Sequence, residues 1–202
     1  MKTMKLRVVW VLVGMGMAVL LSVGFMGSEQ SVSAQVAIAA DPVFAGAGDI
    51  ASCTSEGDEA TANLLDTIPG TVYTTGDNAY ESGTATEFAN CYTPSWGRHK
   101  ARTWPTVGNH EYYDPSGNAS GYFTYFGAAA GDPQEGYYSH ELGAWHVVAL
   151  NSMCENVGGC GASSPIVTWL KKDLAANPKL ARLPTSTTRC SARDPRAGAT
   201  PR

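Results

Sequence analysis

The stretch TVYTTGDNAY, residues 71–80, decides the fold. Its first five residues are β-branched or aromatic, which suits a pleated, half-buried strand, and they run straight into Gly76-Asp77, a turn-forming pair that carries a carboxylate. Upstream, Val43 to Gly48 repeats the plan with smaller side chains and ends in Asp49; downstream, Trp104 to Val107 ends in Gly108-Asn109-His110. Asp49 to Asp77 is 28 residues and Asp77 to Asn109 is 32, about one βαβ unit each. In a parallel sheet all three polar loops then leave from one edge, where open α/β sheets hold their ligands. Residues 57–68, GDEATANLLDTI, read as the first connecting helix, with Asp58, Glu59 and Asp66 on a solvated face, and a second helix lies around Thr86 to Tyr92.

Beyond the third loop, residues 111–136 are expected as a long aromatic and glycine-rich loop bearing Tyr112, Tyr113, Tyr122, Phe123, Tyr125 and Phe126. Tyr137 to Leu142 and Trp145 to Asn151, joined by Gly143-Ala144, read as an antiparallel hairpin. Ser163 to Asn177 has every mark of a helix: Ser163 or Ser164 as cap, Pro165 near the first turn, apolar Ile166, Val167, Trp169, Leu170 and Leu174 on one side, and Pro178 as a stop. The fold class is α/β.

With 202 residues, 44% hydrophobic and 16% charged, the chain holds one ordinary domain, and most of it is not disordered. Its net charge of −4 conceals three unlike parts. Lys2, Lys5 and Arg7 face one acid, Glu29, in residues 1–34, and six basic groups face Asp194 after residue 178, so residues 35–178 hold five basic and sixteen acidic groups. Such an acidic body repels nucleic acid and anionic membranes. The basic start, the apolar run Val8 to Met26 and the small residues Val32-Ser-Ala34 read as a signal peptide over 1–34, which places the body outside the cell or in a periplasm with no membrane span after cleavage; an uncleaved anchor is the alternative. Export makes two disulfides plausible among Cys53, Cys91, Cys154 and Cys160, with three pairings open; Cys154 with Cys160 across a glycine-rich turn, and Cys53 with Cys91, is one of them.

The strings GDI (48–50), GDNAY (76–80) and GNHE (108–111), in this order and spacing, resemble the calcineurin-like metallophosphoesterases, in their purple-acid-phosphatase-like branch because of Tyr80. The resemblance implies the first half of a four-layer α/β/β/α sandwich over 41–178 and a centre of two metal ions of the Fe, Zn or Mn kind. It gives Asp49 and Tyr80 to the first ion, Asp77 to both as a bridge and Asn109 to the second, with His110 donating to the phosphate or the leaving oxygen. The expected chemistry is hydrolysis of a phosphate ester, the paired ions activating water and neutralising charge at phosphorus. His99, His140 and His146 have no such context, and His146 reads as a core or surface histidine.

The family pattern continues with a strand ending in a histidine pair and a later Gly-His-x-His string, and neither follows Pro178 here. Residues 179–202 show no alternating apolar pattern and read as an atypical, disordered tail, which leaves a sheet edge unpaired. A shifted frame through codons 186–191 permits His-His-Pro-Leu-Phe, so the expectation is a frameshifted or mis-called terminus from about residue 180. Two alternatives to a working phosphoesterase follow: a catalytically inactive exported fragment, and a surface-binding module that uses the aromatic residues 112–126.

Overall fold

A computed structural model describes residues 41–179 and 181–185; residues 1–34, expected as a signal peptide, and residues 186–202 of the expected tail lie outside the described residues. The described residues form a mixed α/β unit. Strand β1 (Phe44–Ala47), a short β2 (Ala51–Ser52), helix α1 (Gly57–Thr67), β3 (Thr71–Thr74), β4 (Ala79–Tyr80) and β5 (Thr103–Trp104) follow in order. The strands β1, β3 and β5 make a parallel sheet in that order, with Phe44 beside Thr71 and Tyr73 beside Trp104. Alternation assigns its faces. Val72, Thr74 and Thr103 are buried, and Val72 joins the core that holds Ala62 and Leu65 of α1. Phe44 and Tyr73 meet on the opposite face, rings 4.4 Å apart.

The third strand is shorter than its sequence suggests because Pro105 has no N–H for the ladder. Side chains take over: the Thr106 N–H donates to Thr74 Oγ1 at 2.9 Å, and Asn78 Nδ2 donates to the Thr106 carbonyl at 2.9 Å.

Helix α2 (Ala85–Glu87) opens with a capping box between Thr84 and Glu87 and widens into a π turn over Phe88–Tyr92. Residues 111–136 are not one long loop. They contain a 3₁₀ turn (His110–Tyr113), helix α3 (Ser120–Phe126) and a second 3₁₀ turn (Gly127–Ala130). Tyr122 and Phe126 fall on one helical face, Tyr122 against Phe88 and Phe126 against Phe88 and Tyr92, and Phe123 is buried beside Tyr122. The aromatic run therefore builds core, and of these rings Tyr113 stands out, 56% exposed.

The hairpin forms as expected from β6 (Tyr138–Leu142) and β7 (Trp145–Ala149). Its β6 lies against the outer face of the parallel sheet: the Trp104 and His140 rings stack at 4.0 Å, and the Tyr138 hydroxyl donates to the Pro105 carbonyl at 2.6 Å. Helix α4 (Pro165–Ala176), capped by the Ser164 hydroxyl, packs on the hairpin through Trp169, 4.8 Å from Tyr137, and through Asp173, which accepts from Ser139 Oγ at 2.7 Å.

Two expectations need correction. Residues 181–185 are not tail but strand β8 (Ala181–Thr185), parallel to β7, with Trp145 opposite Ala181 and Ala149 opposite Thr185. The β7 edge is thus paired, and Thr185 Oγ1 lies 3.0 Å from Thr106 Oγ1, joining the two sheets. Strand β8 ends that three-stranded sheet and is held there by its pairing with β7 rather than by an apolar alternation of its own. Asp58 is buried rather than solvated, whereas Glu59 and Asp66 reach outward to pair with Arg98 at 2.8 and 3.1 Å. Disulfides join Cys53 to Cys91 and Cys154 to Cys160.

Candidate metal centre

At the ends of β1 and β3 the chain makes the same move twice. Asp49 (φ 53°) and Asp77 (φ 51°) both take the left-handed conformation, which Asp tolerates better than most residues and which costs about 1–3 kcal/mol when context enforces it. The two turns run side by side: the Ile50 N–H donates to the Asp77 carbonyl at 2.9 Å, the Ala51 N–H to the Asn78 carbonyl at 3.0 Å, and β2 then pairs with β4. Equivalent turns on neighbouring strands bring their carboxylates together.

Tyr80, on β4, completes the group. Its hydroxyl donates to Asp49 Oδ1 in a very short contact and lies 3.4 Å from Asp77 Oδ2. Burial, the Asp49 hydrogen bond and the charges of Asp77 and Asp49 push the phenol well above the ordinary tyrosine range. Two carboxylates favour the protonated phenol; a cation among the three oxygens reverses that preference.

The third loop arrives by close approach. A Cβ on Gly108 would sit 2.2 Å from Asp77 Oδ1, so only glycine fits. The His110 N–H donates to Asp77 Oδ1 at 3.0 Å, and the His110 ring packs edge-on against Tyr80, centroids 4.4 Å apart. His110 Nδ1 is 2.6 Å from the Glu81 carbonyl. A carbonyl only accepts, so Nδ1 carries the proton and Nε2 is the free ring nitrogen. Asn109 Nδ2 donates to the Tyr113 hydroxyl at 3.2 Å, which leaves the amide oxygen outside that bond. Tyr80 therefore touches Asp49, Asp77 and His110, Asp77 also holds the His110 backbone, and Asn109 joins them through Tyr113, whose ring neighbours that of His110.

Glu111 has no role in the sequence reading, although it closes the GNHE string. It is fully buried, and its two oxygens gather backbone donors from the Asp77 and Asn109 loops: Oε1 accepts from Asn78 at 2.6 Å and Ala79 at 3.4 Å, Oε2 from Gly108 at 2.7 Å and Asp77 at 3.1 Å. Burial pushes its carboxyl up to about 7 against those bonds, and the Asp77 charge adds to the rise.

The donors present fit a hard cation. Asp49, Asp77, Tyr80 and Asn109 offer only oxygen, which suits manganese or ferric iron better than zinc with its preference for nitrogen and sulfur. Among the described residues no group of three His, Cys, Asp or Glu side chains assembles around an ion position. The chain's other histidines lie elsewhere: His99 Nε2 is 3.3 Å from the Ala62 carbonyl, His140 stacks on Trp104, and His146 sits between Glu141 and Asp173. Comparison with protein-family profiles, curated proteins and solved structures finds no match to this chain.

Proposed function

We propose that this chain is an exported, metal-dependent phosphoesterase of the calcineurin-like kind, acting on a phosphate ester. One observation carries the reading: two left-handed aspartates on adjacent strands share the Tyr80 hydroxyl between them, an anionic oxygen cluster whose natural occupant is a cation. The finer fold, the first half of a four-layer α/β/β/α sandwich, is supported by α1 and α4 lying on two different sheets that touch through Trp104 and His140. Two disulfides support export.

In this reading Asp49 and Tyr80 would hold one ion and Asn109 the second, with Asp77 serving both. When bound, the ions lower the pKa of water and offset charge developing on the phosphoryl oxygens. The remaining work falls to the protein. Glu111 locks the Asp77 and Asn109 loops together; Asp77 Oδ1 fixes the His110 backbone; the Glu81 carbonyl orients the ring so that Nε2, when protonated, donates to the departing oxygen.

A second reading, a cation-binding module without turnover, is favoured by the engagement of His99, His140 and His146 away from the site, which would leave the second ion Asp77 and Asn109 as its ligands among the described residues. Hydrolysis of p-nitrophenyl phosphate with added manganese or iron separates the two. Metal-dependent turnover lost in Asp77→Ala supports the phosphoesterase; saturable metal binding with no turnover above a protein-free metal control supports the module.

A further inference from the structure

The geometry points to Tyr113 as a specificity-determining residue, a stacking platform that selects phosphate esters of aromatic alcohols. This rests on the phosphoesterase reading. With Nδ1 tied to the Glu81 carbonyl, His110 meets the departing oxygen through Nε2, so the alcohol part of the ester lies beside the His110 ring. The Tyr80 ring is committed to that neighbourhood by its hydroxyl, held on the two carboxylates. Tyr113 is the other aromatic neighbour, its ring centroid 5.0 Å from that of His110. It is 56% exposed, whereas its aromatic companions Tyr112, Tyr122, Phe123 and Phe126 are all buried.

An exposed ring contributes little to the core, yet this one is held in place: its hydroxyl accepts from Asn109 Nδ2 at 3.2 Å. A pre-set aromatic surface loses little freedom when another ring stacks on it, so the gain appears as selectivity. A short aliphatic alcohol leaves the same surface wet.

The test compares benzyl phosphate with ethyl phosphate, whose alcohols are of similar acidity, so that the ratio of kcat/KM values reads the ring. In Tyr113→Leu the benzyl-to-ethyl ratio falls about 3- to 10-fold, the range of an aromatic pair. In Tyr113→Phe, which keeps the ring and drops the hydroxyl that ties it to Asn109, the ratio falls by less than in Tyr113→Leu. A ratio unmoved by Tyr113→Leu, or lost equally in Tyr113→Phe, overturns the proposal. Calorimetry with benzylphosphonate and ethylphosphonate, which are not hydrolysed, separates it from the reading beneath it. Ring-dependent preference for benzylphosphonate without turnover of either ester leaves the platform standing and removes the phosphoesterase; turnover of both esters at a ratio indifferent to Tyr113→Leu does the opposite.

Discussion

The Glu111 carboxylate and the Asp77 backbone N–H meet at 3.1 Å inside the protein, and through that bond a buried side chain of one loop sets the carboxylate of another. The same carboxylate takes the N–H groups of Asn78 and Gly108, so its removal strands several buried donors at once. Each unsatisfied buried donor costs about 1–3 kcal/mol. Glu111→Ala is expected to lower the unfolding free energy by about 3–5 kcal/mol, read from urea melts of the metal-free protein. It should also weaken cation binding about 10- to 100-fold, as loss of a supporting partner does at metal sites.

Gly108→Ala tests the close approach itself. The added methyl carbon lies 2.2 Å from Asp77 Oδ1, so either the loop or the carboxylate must shift. The expected cost is about 1–3 kcal/mol in stability, together with a fall in manganese affinity measured by calorimetry. Unchanged affinity would show that the Asp77 position is not what the third loop protects.

The hairpin and α4 carry a pH-dependent link. His146 is 2% exposed, with Nδ1 2.8 Å from Glu141 and Nε2 2.6 Å from Asp173. Burial acts to lower its pKa, but the hydrogen bonds and charges of Asp173 and Glu141 outweigh burial and raise it. A raised folded pKa gives stability that is fully present below about 6.5, the unfolded value, and is lost as pH rises through the folded pKa. His146→Gln should therefore cost about 1.5–3 kcal/mol at pH 6 and progressively less above pH 7, read from thermal melts at both. A gap between variant and parent that widens with pH would reverse the sign and refute the link.

Much of this architecture is legible in the residues. The strands β1 and β3 and helices α1 and α4 follow from β-branched runs, helical spacing and the Ser164-Pro165 start, and the three Gly-Asp or Gly-Asn turns announce where the polar side chains gather. Other features lie beyond local pattern. Helix α3 is short, and its glycine and two tyrosines resemble loop composition until Phe88 and Tyr92 supply the surface it packs on. Strand β8 exists through pairing with β7, which no periodicity within 181–185 encodes. Glu111 looks like any exposed acid after a histidine, and only the fold turns its carboxylate inward onto four backbone donors.

The disulfides differ in reach. Cys53–Cys91 closes 38 residues and ties β2 to the π turn, so by loop-closure entropy its loss costs about 4 kcal/mol, against about 2 for Cys154–Cys160 across six. Cys53→Ser with Cys91→Ser should lower the melting temperature markedly more than the paired change at 154 and 160. Equal effects would place the stabilising contribution elsewhere.

The central claim is that Asp49, Asp77 and Tyr80 together hold a cation. Loading the metal-free protein with ferric iron and recording its visible absorption tests this most directly, because a phenolate bound to ferric iron gives a charge-transfer band. The expected band saturates with added iron and vanishes in Tyr80→Phe and in Asp49→Asn. A protein that stays colourless with iron bound, or a band that survives Tyr80→Phe, would contradict it.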